Sequence, residues 1–135
     1  MAPFSSALVL AADQPAQLAA FYGGLLESPP AAGQGSQHWC LPLPAGGLLQ
    51  IYRPSRQRPQ PRQPGRLALC LSRSGDEPAL AQWCALAQAL GAVLLEPPRQ
   101  ESFGWEAWLQ DPEANRLLLV MLPSGPAADP SDPLP

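Results

Sequence analysis

The sequence predicts an α+β protein made of two similar halves, and three observations lead to this fold class. An Asp-x-Pro-Ala segment occurs twice, at residues 13–16 and 76–79, each time between an apolar run and a helical pattern. Further strand-like runs follow each helical pattern. A segment rich in Arg and Pro, residues 54–65, separates the two copies. Because such a repeat indicates that one supersecondary unit is used twice, we expect two modules in one domain.

In the first half, the apolar run that follows Ser5 predicts a buried strand, and a helix follows it. Asp13 is expected to cap this helix and Pro15 to lie in its first turn, where a missing N–H costs no hydrogen bond. Gly23 or Gly24 is expected to end it. The strand-like runs of this half are residues 6–10, 38–43 and 48–52, and residues 26–37 read as a loop.

The second half repeats this order, with Asp76 as the expected helix cap and Gly91 as the expected helix end. Its strand-like runs are residues 66–72, 92–96, 105–110 and 116–122. Apolar residues with the spacing of a core-facing helix stripe occur in both halves. They are Leu18, Phe21, Tyr22 and Leu25 in the first helix and Leu80, Trp83, Cys84, Ala87 and Leu90 in the second.

The expected domain covers residues 1–122, with module one at 5–53, a linker at 54–65 and module two at 66–122. The linker has no hydrophobic periodicity, and five of the eight arginines fall between Arg53 and Arg66. It therefore predicts an extended, polyproline-like connection. The tail, residues 123–135, is rich in Pro and Asp and is expected to be disordered.

Composition restricts the classes of function. A chain of 135 residues with 46% hydrophobic and 14% charged residues suits one globular domain. Its apolar runs are far shorter than the roughly 20 residues of a membrane span, so we expect a cytoplasmic protein without membrane contact. A net charge of −3 without aromatic residues among the linker arginines argues against a nucleic-acid partner. The three cysteines, Cys40, Cys70 and Cys84, lack CxxC spacing and predict free, buried thiols.

Several motifs together resemble the vicinal oxygen chelate superfamily, which includes glyoxalase I, bleomycin-resistance proteins and extradiol dioxygenases. FGWEAWLQDPEANRLLLV (103–120) resembles the family's last hairpin with its DPxGN turn, although Ala114 replaces the usual Gly. FYGGLLE (21–27) and GRLALCLS (65–72) are similar to the family's FYxxxLG and GHxAxxV segments. The resemblance implies two βαβββ modules whose curved mixed sheet surrounds a cleft, with the helices outside, and it favours a homodimer.

The resemblance also implies four positions for metal ligands, which are usually His, Gln or Glu. In this sequence they fall on Ser6, Gln50, Arg66 and Leu118. A divalent ion needs several converging donor groups, and a guanidinium group stays charged at ordinary pH. We therefore expect neither a metal nor another cofactor.

What remains at these positions predicts a pocket for a small molecule, anionic or partly apolar. Arg66 is expected to pair with a carboxylate or phosphate, unless Glu101 or Glu106 neutralises it. By strand alternation, Leu8 and Leu10 should share the face of Ser6. The expected ligand-binding residues are Ser6, Gln50, Tyr52, Arg66, Trp105, Trp108 and Leu118. Of these, Trp105 or Trp108 is expected to stack on a planar ligand.

Three functions stay open at the level of sequence. The first is a metal-independent binding protein of the glyoxalase and bleomycin-resistance type. The second is an enzyme of the glyoxalase or dioxygenase type acting on a small metabolite, with His38 and Cys40 as base and nucleophile or Glu106 as base. The third is a structural or protein-interaction module that uses the Arg/Pro-rich linker.

Overall fold

A computed structural model describes residue 3 and residues 5–33, 35–56 and 67–123. The chain divides into two compact units, Met1–Gly65 and Arg66–Pro135. Most of the predicted linker, residues 57–65, and nearly all of the predicted tail, residues 124–135, lie outside the described residues. No helix among the described residues is long and apolar enough to cross a membrane.

The first unit contains one helix and a four-stranded mixed sheet. Its elements are β1 (Ala7–Ala11), α1 (Pro15–Leu26), β2 (Ala31–Ala32), β3 (His38–Pro42) and β4 (Leu48–Tyr52). The strand order is β1-β4-β3-β2, with β1 parallel to β4 and the other pairs antiparallel. This is one βαβββ module.

The second unit repeats this topology with longer strands. Its elements are β5 (Leu69–Ser74), α2 (Glu77–Leu90), β6 (Val93–Glu101), β7 (Gly104–Gln110) and β8 (Arg116–Leu122). The strand order is β5-β8-β7-β6, again with the first strand parallel to the last. The two four-stranded sheets and two helices confirm the predicted α+β class and its repeated βαβββ order.

In each unit the helix covers one face of the sheet, and the core lies between them. The predicted helix stripes are buried except for Leu90, which is only partly buried. The sheet residues that meet these stripes alternate with more exposed ones, as the pleat requires. The fully buried members are Leu41, Leu49 and Ile51 in the first unit and Leu109, Leu117 and Leu119 in the second. We call the opposite side of each sheet the helix-free face.

The ends of α1 differ from the predicted ones. Gln14, not Asp13, is the N-cap residue, and its side chain makes no capping hydrogen bond. The helix continues through Gly23 and ends at Glu27, which adopts a left-handed conformation with φ 54° and donates its N–H to the Gly23 carbonyl. A Cβ atom at Gly23 would lie 2.9 Å from Pro30 Cδ, so this glycine permits close packing and does not stop the helix.

The ends of α2 follow the sequence prediction. The Asp76 side chain accepts a hydrogen bond from the N–H of Ala79 at 3.0 Å. Gly91 closes the helix with φ 122°, a conformation that disfavours any residue with a Cβ atom. The two Asp-x-Pro-Ala copies therefore start their helices differently, although their sequences match.

Two strands depart from the predicted bounds. The predicted loop at 26–37 contains the two-residue strand β2, paired with β3 through Ala31 and Cys40. Strand β6 extends beyond the predicted residues 92–96 to Glu101, through Pro97 and Pro98. Its pairing with β7 shifts register on both sides of Glu96. As an edge strand, β6 tolerates prolines because one side of its backbone needs no sheet partner.

Candidate functional site

Polar and sulfur-containing side chains gather on the helix-free face of the first unit. Gln50 pairs in register with Cys40 on one side and with Val9 on the other. One row further along, Tyr52 pairs with His38. Gln50, Tyr52, His38 and Cys40 are all partly buried. The structure thus brings the predicted Gln50 and Tyr52 onto one face, together with the only histidine of the chain.

The prediction that Ser6, Leu8 and Leu10 share a face with Gln50 is wrong. The parallel register of β1 with β4 places Val9 beside Gln50 instead. Leu8 and Leu10 pair with Leu49 and Ile51, which face α1. Ser6 is exposed and precedes β1, where its carbonyl accepts the N–H of Leu48 at 3.2 Å. On β1, Val9 is therefore the residue beside Gln50, and it is aliphatic.

The helix-free face of the second unit is centred on Leu118. This residue lies in register between Cys70 of β5 and Trp108 of β7. The next row contains Ser72, Val120 and Glu106. Leu118 and Trp108 are partly buried. The predicted contacts Trp108 and Leu118 are therefore neighbours, and they form an apolar surface with a thiol at its edge.

The two other predicted contacts do not belong to this surface. Trp105 pairs with Met121 and so lies on the side of the sheet that faces α2. It lines a separate pocket beside the turn between β6 and β7. Trp105 and Trp108 lie on opposite sides of the sheet, because residues an odd number apart on a strand face opposite sides. Arg66 lies outside the described residues.

An ion-pair cluster flanks the same helix-free face and was missed at the level of sequence. The Arg99 guanidinium donates to Glu101 Oε1 at 2.7 Å through Nε and to Glu106 Oε1 at 3.0 Å through Nη2. These hydrogen bonds, first to Glu101 and then to Glu106, raise the pKa of Arg99 further above its ordinary value. The Glu106 side chain is only 12% exposed. Arg99 thus bonds both Glu101 and Glu106, the two carboxylates that the sequence offered as alternative partners of Arg66.

The sequence missed Arg99 because β6 was expected to stop at Glu96. Pairing across the β6–β7 hairpin aligns Arg99 directly with Glu106. If the strands on both sides of the short turn before Trp105 had been paired residue by residue, Arg99 would have fallen opposite Glu106. Opposite charges favour such directly opposed strand positions.

The thiol beside Leu118 is a weak nucleophile at neutral pH. Cys70 is an exposed residue and not buried as the sequence predicted, but the partial burial of its thiol raises its pKa. The Ser72 hydroxyl at 4.0 Å lowers this pKa, and the nearby Glu106 carboxylate raises it. The combined direction is upward, which keeps the sulfur protonated. The side chain can therefore serve as an apolar contact more readily than as a reacting group.

Metal ligands do not converge in the described part of the chain. Residues 5–33, 35–56 and 67–123 contain no group of three or more His, Cys, Asp or Glu side chains able to hold a metal ion. Of the positions that the resemblance assigns to ligands, Gln50 and Ser6 offer neutral oxygen atoms and Leu118 offers none. These donors do not fit the multidentate set that a divalent metal requires.

The β7–β8 hairpin that holds Trp108 and Leu118 is fixed by a buried carboxylate. Asp111 is 2% exposed. Its Oδ1 accepts the N–H groups of Glu113 at 2.9 Å and Asn115 at 3.0 Å, and its Oδ2 accepts Asn115 Nδ2 at 2.9 Å. Ala114, between them, adopts a positive φ of 67°. The DPEAN turn therefore keeps the shape of a DPxGN turn in spite of the missing glycine.

The chain contains two βαβββ units, and in each unit a helix covers one face of the sheet. The opposite, helix-free face carries the candidate ligand contacts described above. This arrangement defines the class of protein. The family described as glyoxalase-like domain matches residues 7–120, so the chain belongs to this family within the vicinal oxygen chelate superfamily. No curated protein matches the chain significantly.

Solved structures share this fold at low sequence identity. A glyoxalase-related enzyme from Fulvimarina pelagi is similar with a TM-score of 0.73 at 18% identity, over 86% of each chain. A glyoxalase/bleomycin resistance protein/dioxygenase family enzyme from Burkholderia phytofirmans PsJN has a TM-score of 0.72 at 15% identity, over 87% of this chain and 97% of its own. A glyoxalase/bleomycin resistance protein from Albidiferax ferrireducens T118 has a TM-score of 0.67 at 20% identity, over 86% and 97%.

Proposed function

We propose that this chain is a metal-independent binding protein of the glyoxalase and bleomycin-resistance type. It holds a small, anionic or partly apolar molecule on the helix-free sheet surface. The observation that carries the proposal is the row Cys70, Leu118 and Trp108, in which an aliphatic side chain stands where the superfamily resemblance leads one to expect a carboxylate. Such a surface favours an apolar ligand over a hydrated cation.

The apolar part of the ligand is expected to contact Trp108 and Leu118. Both side chains are partly exposed, and an indole ring offers a flat surface for an aromatic or conjugated molecule. In the first unit, Gln50 and Tyr52 supply hydrogen-bonding groups on the corresponding face. The preference for an anion rests on the sequence, through the permanent positive charge of Arg66.

Calorimetric titration with Ni²⁺, Zn²⁺ and Fe²⁺ tests the metal-independent part. We expect no stoichiometric binding, because the donor set contains no converging carboxylates or imidazoles. Micromolar binding of one ion per chain that Gln50→Leu weakens would refute it. Glu96→Gln, which removes an exposed carboxylate from β6, is the control for nonspecific ion binding.

A thermal-shift screen of small carboxylates, phosphates and planar aromatic acids tests the binding part. A ligand present at about 100 times its dissociation constant should stabilise the protein by about 2.7 kcal/mol. We expect the shift to shrink in Trp108→Ala and in Arg66→Ala, but not in Arg56→Ala, which removes an exposed arginine from the same charged segment. A shift that all three variants retain would place the ligand elsewhere.

An enzyme of the glyoxalase or dioxygenase type is the second candidate, and one observation favours it. His38 and Cys40 alternate on β3 and point to the same helix-free face as Gln50. A side chain at Gly33 would collide with the His38 ring, so this glycine is what allows the imidazole its position. Turnover of a ligand from the screen that His38→Gln abolishes, with binding retained, would favour the enzyme over the binding protein.

The assembly proposed with this function is a homodimer. Sedimentation equilibrium should give twice the chain mass of 14.3 kDa. The competing interaction-module function requires the Arg/Pro-rich linker. Replacing residues 54–65 with a Gly/Ser segment of equal length should leave ligand binding intact, because residues 54–56, the described part of that linker, belong to neither sheet. Loss of a partner instead of the ligand would favour the interaction module.

A further inference from the structure

A second pocket lies within the second unit, at the edge of the sheet away from the Leu118 surface. We call it the hairpin pocket. It is an open depression lined by residues 100–105 at the β6–β7 turn, the Gly75–Asp76 corner before α2 and Pro123 after β8. Its volume is about 550 Å³. Sites for small molecules commonly have volumes of about 300 to 1,000 Å³, so the space suits a compact ligand.

Two glycines and one backbone hydrogen bond fix the walls of the hairpin pocket. Gly104 has φ 148°, and a side chain there would collide with the Met121 carbonyl oxygen. The Gly75 N–H donates to the Leu122 carbonyl at 2.8 Å. A Cβ atom at Gly75 would lie 3.0 Å from Met121 Sδ. These close approaches hold the start of β7, the end of β5 and the end of β8 together, so the pocket is built on sheet backbone.

The side chains around the pocket have a distinct chemical character. Asp76 and Glu101 contribute carboxylates, and Phe103 and Trp105 contribute half-buried aromatic rings. None of the described residues that line it is Arg, Lys or His. Aromatic faces and carboxylates both attract organic cations, and both disfavour anions.

Neighbouring positive groups neutralise the negative charge of these carboxylates only in part. Arg99 Nε donates to Glu101 Oε1, but the Arg99 side chain is 59% exposed, so water weakens its effect. The N-terminus of α2 donates to Asp76 Oδ1 through the Ala79 N–H. Glu77 follows Asp76 directly and adds a further negative charge at this corner. Arg73, which pairs in register with Met121 on the face of Trp105, adds a positive charge two residues before Gly75. The three carboxylates Asp76, Glu77 and Glu101 still outnumber the two guanidinium groups at this corner.

We propose that the hairpin pocket binds a small organic cation, a protonated amine or guanidinium attached to an apolar group. The cationic group lies between the carboxylates of Asp76 and Glu101, and the apolar group rests on Trp105 and Phe103. This site is separate from the Leu118 surface and does not depend on the proposed function. It gives Trp105 a ligand contact on the opposite side of the sheet from Trp108.

The test uses the full chain labelled with ¹⁵N and three probes of similar size. Benzylamine is cationic at pH 7, benzyl alcohol is neutral and phenylacetate is anionic. Benzylamine should shift the Trp105 indole N–H and the amides of residues 100–105. Asp76→Asn retains a capping side chain and removes one charge, and Glu101→Gln removes the other. Each should weaken benzylamine binding by up to about fivefold, the effect of one partly exposed ion pair.

Asp13→Asn is the matched control, because Asp13 occupies the corresponding place before α1 in the first unit. It should leave benzylamine binding unchanged. Equal affinity for benzyl alcohol and benzylamine, stronger binding of phenylacetate, or benzylamine shifts that arise away from residues 100–105 would overturn the proposal. An absence of shifts up to tens of millimolar benzylamine would do the same, as would unchanged binding in both Asp76→Asn and Glu101→Gln.

Discussion

Replacing Asp111 with Ala should destabilise the second unit and loosen the surface that carries the proposed function. The Asp111 carboxylate is buried, and it accepts hydrogen bonds from other residues of the same turn between β7 and β8. Trp108 lies three residues before it in β7, and Leu118 is paired with Trp108 across the same hairpin. Loss of the carboxylate therefore acts on the hairpin that positions both residues.

The magnitude follows from the hydrogen bonds that Asp111 accepts. Three donors, Glu113 N, Asn115 N and Asn115 Nδ2, lie at 2.9 to 3.2 Å from its oxygens. Such bonds contribute about 1 to 1.5 kcal/mol each, toward the low end for charged groups, because the half-buried donors regain some water. The free energy of unfolding should fall by about 3 to 4.5 kcal/mol.

Urea denaturation followed by far-ultraviolet circular dichroism measures this loss. Glu96→Ala removes an exposed carboxylate and should change the free energy of unfolding by less than about 0.5 kcal/mol. Asp111→Asn keeps one acceptor oxygen and should fall between the two. A loss below about 1 kcal/mol in Asp111→Ala would show that the turn does not depend on its carboxylate, and the reasoning would fail.

Three further predictions follow from the same unit. Ala114→Gly should raise the free energy of unfolding by up to about 1 kcal/mol, because glycine adopts the observed φ of 67° without a Cβ clash. Leu119→Ala should lower it by about 2 to 5 kcal/mol, because Leu119 is fully buried under α2. Glu106→Gln should speed iodoacetamide alkylation of Cys70 at pH 8, because the carboxylate raises the pKa of that thiol.

Urea denaturation checks the first two predictions, and peptide mass spectrometry after timed alkylation checks the third. A less stable Ala114→Gly would mean that the flexibility glycine adds to the unfolded chain outweighs the relieved strain. A loss below about 1 kcal/mol in Leu119→Ala would contradict its place in the core. For Cys70, Glu96→Gln is the control, and an equal increase in rate with both variants would exclude a specific effect of Glu106.

The free energy of unfolding at alkaline pH provides an independent test of the raised pKa of Cys70. Its pKa in the folded protein is raised above the ordinary thiol value, so the folded state holds the proton more tightly than the unfolded chain. The contribution of this group to stability is full below the ordinary thiol pKa and is lost as the pH rises above it. Cys70→Ser should flatten this part of the stability profile.

Local sequence rules predicted the parts of the fold that depend on local physics. The α2 helix starts at Asp76 and ends at Gly91 because a capping carboxylate and a left-handed glycine act within a few residues. The strand run 48–52 was predicted with its observed bounds because alternating residues record the pleat directly. The buried stripes of both helices were likewise readable from their spacing.

Elements that depend on packing escaped prediction. Helix α1 passes through Gly23 because that glycine lies against Pro30, which no local rule reveals. Strand β6 continues through two prolines because it lies at the edge of the sheet, a property of the assembled unit. The Arg99–Glu106 pair follows from the register of that extended strand.

The sequence by itself determined the α+β class, the division into two similar halves and the aliphatic residue at position 118, because these are recorded in repeats, spacing and residue identity. The full βαβββ order of both modules was implied by the family resemblance. Only the tertiary structure decided which side chains share a face. A shift of one residue in the register of β1 exchanges Leu8 and Leu10 for Val9, and strand alternation separates Trp105 from Trp108. Register depends on contacts between strands distant in sequence, so a single strand read alone cannot determine it.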